Sequence, residues 1–141
     1  MIVVTGPAGF IGTVLAVKLL EADYRQIVLV DDFQVEAKRP NHIHLPVTHR
    51  VEREAFPQWL EEHENQVQFV FHLGARTDTT EQDEEVLNAL NFTYSQNVWH
   101  LCVKHGLPLL YASSAATYGD GALGYSDQHD LVAKLRPLNP Y

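Results

Sequence analysis

The chain has 141 residues, 45% of them hydrophobic, with 10 Lys plus Arg against 18 Asp plus Glu and a formal charge of -8. That apolar content suffices for one domain with a real core and excludes overall disorder, while the acidic balance excludes a grip on nucleic-acid backbone or anionic lipid. Cys102 is the single cysteine, which excludes a disulfide framework and a Cys-based zinc site and makes a reducing cytoplasm the simplest home.

In chain order, "MIVVTG" reads as a first strand over Ile2 to Val4. It lacks the basic start and cleavage site of a signal peptide, and no apolar run approaches the roughly 18 residues a membrane span needs. "FIGTVLAVKLLEAD" places Ile11, Leu15, Leu19 and Leu20 at helical spacing. A second strand follows over Gln26 to Val30, and a weaker third is expected near Ile43 to Val47. A second helix is expected from Arg53 to Glu64, with Phe56, Trp59 and Leu60 facing inward, then a fourth strand over Gln68 to His72.

From Asp83 to His105, Val86, Leu87, Leu90, Tyr94, Val98, Leu101 and Cys102 recur every three or four residues, predicting one long helix ended by Gly106. Trp59 and Trp99 fall on inner faces of their helices. The acids of "TTEQDEE" suit the start of that helix, with Thr79 or Thr80 as its cap. A fifth strand over Leu107 to Ala112 leads into a Gly-, Asp- and Pro-rich loop from Tyr118 onward. Strands alternating with helices predict an α/β fold, a doubly wound parallel sheet of the Rossmann type.

"IVVTGPAGFIG" sets Gly6, Gly9 and Gly12 between a strand and a helix, the context of a dinucleotide fingerprint. Gly6 makes the tight turn, Gly9 lets the pyrophosphate approach, Gly12 lets the helix pack closely, and the helix amino terminus faces the phosphates. The fingerprint also asks for an acid about 20 residues on, where Asp31 and Asp32 stand. Asp31 favours the free 2′-hydroxyl of NAD; Lys38 and Arg39 either pair with the 2′-phosphate of NADP or form a solvated loop. Both cofactors stay open, with NADP slightly favoured.

"LLYASSAATYGDG" puts Ser113 and Ser114 at the carboxyl end of the fifth strand, where open α/β sheets bind ligands. A hydroxyl there can hold a substrate oxygen as it passes between alcohol and ketone. Of the eight histidines, His42 and His44 lack a third ligand at useful spacing and "EEHENQ" is not an HExxH motif, so no metal site is expected. His72, ending a buried strand, reads as a satisfied core histidine.

With "TGPAGFIG", "FHLGA" and "SSAATYG" in that order, the chain resembles the extended short-chain dehydrogenase/reductase family, and within it the sugar-nucleotide epimerases and dehydratases. "GARTDTTEQD" and "NFTYSQNVWHLC" are most similar to the heptose-epimerase branch. The resemblance implies that the glycine turn with Phe10 and Ile11 holds the pyrophosphate and that Asp31 and Asp32 flank the adenosine. Lys38 would meet NADP, and Leu73, Gly74 and Ala75 would line the cofactor with Asn91 bracing them. Thr79, Thr80 and Ser113 would reach substrate, Ser114 would be the catalytic hydroxyl, and Tyr141 the base of a Tyr-x-x-x-Lys motif.

That motif's Lys falls past Tyr141, so the expectation is a truncated Rossmann domain over 1–141, without later strands or a substrate domain and inactive alone. The implied partners are a nucleotide-sugar substrate and, for the full-length protein, further copies of itself. A dehydratase or reductase of the same family, or a non-catalytic dinucleotide-binding or interaction module, shares the quoted motifs. Pro7, Leu73, Arg76 and Asp78 depart from the family's usual residues.

Overall fold

The computed structural model describes residues 1–78, 81 and 83–138. Strands β1 (Ile2–Thr5), β2 (Ile27–Asp31), β3 (His49–Glu52), β4 (Phe69–His72) and β5 (Leu109–Tyr111) form one sheet in the order β3-β2-β1-β4-β5. Every pairing is parallel. A central parallel strand is covered on both faces, which is why all four residues of β1 are buried. Alternate side chains feed two cores: Val3, Val28, Val30 and Val70 meet Phe56, Leu60, Val98 and Cys102 on one face, and Val4, Ile27 and Leu29 meet Ala16 on the other.

Helix α1 (Phe10–Glu21) covers the second face. It stops because Asp23 adopts the left-handed conformation, φ 68°, which an Asp tolerates better than most residues. On the first face lies α3 (Phe56–His63), preceded in the chain by the single turn α2 (Arg39–His42). The long helix runs on without a break through α4 (Glu84–Leu87), a π-helical segment (Asn88–Thr93) and α5 (Tyr94–His105). Its cap is Asp83, whose Oδ1 accepts from the Glu85 and Val86 N–H groups at 3.0 and 3.3 Å, rather than a threonine of the preceding run. Gly106 ends it at φ 64°, with the Leu107 N–H returning to the Cys102 carbonyl at 2.8 Å.

Three expectations need correction. The third strand is His49–Glu52, not Ile43 to Val47, where the chain instead makes a turn directly after α2 and runs on irregularly past Pro46. Trp99 is 49% exposed and meets Tyr111 edge-on, so it lies on the rim of the core; Trp59 does pack against it. The segment after Tyr118 is not wholly loop, since α6 (His129–Val132) makes one turn there. No helix among the described residues is long and apolar enough to cross a membrane.

Candidate dinucleotide site

The strand register sets the site. Thr5 lies level with Val30 and His72, and His72 with Tyr111, so the strands end together along one rim. The chain runs outward from β1 through β2 to β3, then returns to β4 on the other side of β1. Ligands of open α/β sheets bind in the crevice that such a reversal opens. A cleft of about 570 Å³ lies there, within the usual range for small-molecule sites.

The cleft brings together Gly6, Gly9, Phe10, Ile11 and Gly12 from the turn after β1. Asp31 joins them from the end of β2, Asp32 and Lys38 from beyond it, and Leu73, Gly74 and Ala75 from beyond β4. The glycines differ in why they must be glycine. Gly6 sits at φ +73° with Gly74 backbone 2.8 Å from where its Cβ would be, and a Cβ on Gly12 would lie 2.2 Å from the Gly6 carbonyl oxygen. A Cβ on Gly9 would meet nothing nearer than 3.4 Å, so the protein leaves that position open toward the cleft.

Helix α1 starts directly after Gly9 with no side chain capping it and no acid in its first turn. Its first N–H groups therefore have no intrahelical acceptor and are available to an anion. Phe10 and Ile11 are 82% and 69% exposed there, so Ile11 does not serve the core as its helical spacing suggests. Pro7, which has no N–H to offer, is buried instead.

The turn is braced from three sides. Asp31 Oδ2 accepts from the Ala8 N–H at 2.9 Å, the Asn41 amide donates to the Ala8 carbonyl at 2.8 Å, and the Thr13 hydroxyl reaches the Pro7 carbonyl at 2.8 Å. Asp31 Oδ1 also accepts from the Asp32 N–H at 2.8 Å. Each carboxylate oxygen keeps a second lone pair, so Asp31 can hold the turn and still meet a ligand hydroxyl.

Asn91 does not line the cleft but locks its far wall: it accepts from the Arg76 N–H at 2.6 Å and donates to the Arg76 carbonyl at 3.0 Å. The π-helical segment carries this Asn, and flanking Leu90 and Tyr94 line the cleft. The Tyr94 hydroxyl is buried without a hydrogen-bond partner among the described residues, and burial pushes its ionisation well above the ordinary phenol range.

Ser113 and Ser114 stand past β5, outside the cleft lining. Ser114 caps the short 3-10 turn Ala115–Tyr118, its oxygen accepting from the Ala116 N–H at 3.1 Å, which leaves its own proton free to donate. Tyr141, Thr79 and Thr80 lie outside the described residues.

Sequence reasoning missed Arg53 as a cleft residue, while Arg76, one of the departures from the family's small residues near the cofactor, lines the cleft as well. Arg53 follows β3, its N–H donating to the Asp31 carbonyl at 3.0 Å, and its guanidinium pairs with Glu54. Arg76 pairs with Glu81 at 3.1 Å and Asp78 at 3.3 Å. With Lys38 they set three cationic side chains beside Asp31 and Asp32 in the cleft lining.

Residues 2–141 match the model of the NAD dependent epimerase/dehydratase family. The chain is 38% identical over 145 residues to the ADP-L-glycero-D-manno-heptose-6-epimerase of Fusobacterium nucleatum, covering 100% of this chain and 44% of that protein. It is 39% identical over 143 residues to the enzyme of that name from Nitratidesulfovibrio vulgaris, with the same coverage. The chain thus spans under half the length of these curated relatives. Among solved structures it superposes on the Helicobacter pylori ADP-L-glycero-D-manno-heptose-6-epimerase with a TM-score of 0.80 at 25% identity, over 99% of this chain and 46% of that one. It also shares the fold of a Bacillus cereus UDP-glucuronic acid 4-epimerase solved with NAD, at a TM-score of 0.75 and 23% identity, over 99% and 47% of the two chains.

Proposed function

Because the chain belongs to the NAD dependent epimerase/dehydratase family, we propose that its cleft holds the dinucleotide of a nucleotide-sugar epimerase acting on an ADP-heptose. The single observation that carries this reading is the position of Gly9, open to the cleft between a braced turn and an uncapped helix start. The 38% identity to a heptose epimerase supports the substrate. The chemistry such a dinucleotide would supply is reversible hydride exchange with the sugar carbon, which inverts that carbon if the hydride returns to its opposite face.

The chain's own residues would bind, orient and move the proton. The α1 N–H groups and the glycine turn would hold the pyrophosphate, and Asp31 the adenosine ribose. Ser114, its oxygen already engaged as an acceptor, would donate its proton to the substrate oxygen. Tyr141 would take the hydroxyl proton, for which a phenol near pKa ~10 needs positive charge close by. The 141 residues alone, at 44% of the relatives' length, are proposed to bind dinucleotide without turnover. Steady-state epimerisation of ADP-heptose by this chain would refute that.

NADP is the proposed cofactor: Asp31 alone would favour NAD, but Lys38 and Arg53 line the same cleft and can pair with a 2′-phosphate. Equilibrium titration should show NADP bound more tightly than NAD, and Arg53→Ala should weaken NADP by about tenfold while leaving NAD within about twofold. Equal losses for both dinucleotides would remove Arg53 from that role.

A further inference from the structure

Beneath the cleft, one hydroxyl meets three partners. Thr5 Oγ1 lies 3.1 Å from the Leu73 N–H nitrogen, 3.0 Å from that of Gly74 and 2.7 Å from His72 Nδ1. A hydroxyl carries one proton and two acceptor lone pairs. The two amides can only donate and fill both lone pairs, so the hydroxyl proton goes to His72. Nδ1 is therefore an acceptor, the neutral ring carries its proton on Nε2, and Nε2 donates to Ser95 Oγ at 2.9 Å. Donation runs one way, from the amides through Thr5 and His72 to Ser95.

The chain of bonds ties the end of β1 to the end of β4 and the start of α5, with its first two side chains buried, Thr5 1% and His72 4% exposed, and Ser95 half-buried at its end. Its two amides belong to the cleft wall, and that wall presses on the glycine turn. A Cβ on Gly74 would stand 3.2 Å from Gly6 N and 3.1 Å from Thr5 Oγ1. With no slack between Gly6 and Gly74, whatever holds Leu73 and Gly74 also sets how far the turn stands from the wall.

We propose that Thr5, His72 and Ser95 are positioning residues for the dinucleotide, a one-way hydrogen-bond chain that fixes the spacing of the cleft's two backbone walls. This rests on reading the cleft as a dinucleotide site. Valine has the shape of threonine without its hydroxyl. If Thr5 only filled space, Val would serve equally; if it positions the wall, Leu73 and Gly74 lose their acceptor and His72 its donor.

The test is titration of the chain with NADP and with NAD, alongside thermal melting, for wild type, Thr5→Val and Thr5→Ser. Thr5→Val should bind about tenfold more weakly or worse while still melting cooperatively, and Thr5→Ser, which keeps the hydroxyl, should stay within about twofold of wild type. Equal affinity of Thr5→Val and wild type overturns the proposal. Should Thr5→Val not fold, long-range proton–nitrogen NMR of the wild-type imidazole decides: an Nε2-protonated His72 is expected, and an Nδ1-protonated one overturns the chain of bonds. A wild type that binds neither dinucleotide sinks the reading of the cleft, while the tautomer still decides the hydrogen-bond chain, so the two failures are told apart.

Discussion

Gly12→Ala is expected to lose more than about 3 kcal/mol of stability, whereas Gly9→Ala loses less than about 1 kcal/mol yet binds dinucleotide at least about tenfold more weakly. The first follows from backbone meeting backbone. A methyl at Gly12 would lie 2.2 Å from the Gly6 oxygen and 2.8 Å from Pro7 Cα. Gly6 cannot retreat, because its N–H is bonded to the Val30 carbonyl at 2.9 Å and its other side abuts Gly74. The helix would have to leave the sheet, uncovering Ala16 and the apolar face behind it.

Gly9 is the opposite case. Its φ of -85° suits any residue, and a methyl there makes an ordinary contact, so the fold should tolerate it. The methyl would instead occupy the space through which phosphate reaches the helix N–H groups. Denaturant melts separate the two stabilities, and a dinucleotide titration of Gly9→Ala reads the binding. Unchanged affinity in Gly9→Ala would remove the reason for calling this turn a phosphate cradle.

The contrast also shows what a sequence can and cannot carry. The glycines, Asp31 and the "LGA" segment sit in local contexts that repeat wherever this turn is built, so all of them could be placed on the cleft beforehand. Strand β3 could not. It is an edge strand whose His49 and Arg50 are exposed, leaving Val51 as its only buried residue, so it shows almost no apolar signal. The more apolar Ile43 to Val47 looked like a strand, although Pro46 argues against one.

Misplacing β3 had a functional consequence, because Arg53 is recognisable as a neighbour of Asp31 only when β3 ends at Glu52. The π-helical segment was illegible for a different reason: one extra residue per turn barely disturbs the apolar spacing of the long helix. It nonetheless carries Asn91, which holds the loop at Arg76. The Thr5–His72–Ser95 contacts span separations of 67 and 23 residues, which no local pattern encodes.

His72 should make the chain lose stability on mild acidification, by roughly 3 kcal/mol between about pH 6.5 and about pH 4. Burial lowers its pKa to about 4, against ~6.5 for an unperturbed His. Between those values the unfolded chain takes up a proton that the folded chain refuses, so stability is full above the unfolded pKa and falls with pH until the folded ring is protonated too. The hydrogen bonds explain the refusal in structural terms: a proton on Nδ1 would face the Thr5 hydroxyl, whose oxygen has no lone pair left to accept it because the Leu73 and Gly74 N–H groups take both. His42 pulls in the same direction, since it is buried with neither ring nitrogen partnered among the described residues and burial lowers its pKa. The carboxylates of Glu54 and Glu61, held below the usual range by Arg53 and by Lys104, add their losses only at still lower pH. Denaturant melts at about pH 7.5 and about pH 5 therefore read the histidines together with the Met1 amino group, whose ionisation burial also lowers, and leave the carboxylates out. His72→Gln, less stable at the higher pH but without a titrating ring, should retain only the smaller pH dependence due to His42 and the Met1 amino group. A wild type equally stable at both values would mean that the imidazole accepts its proton in the folded state, and that the one-way order of donors beneath the cleft is wrong.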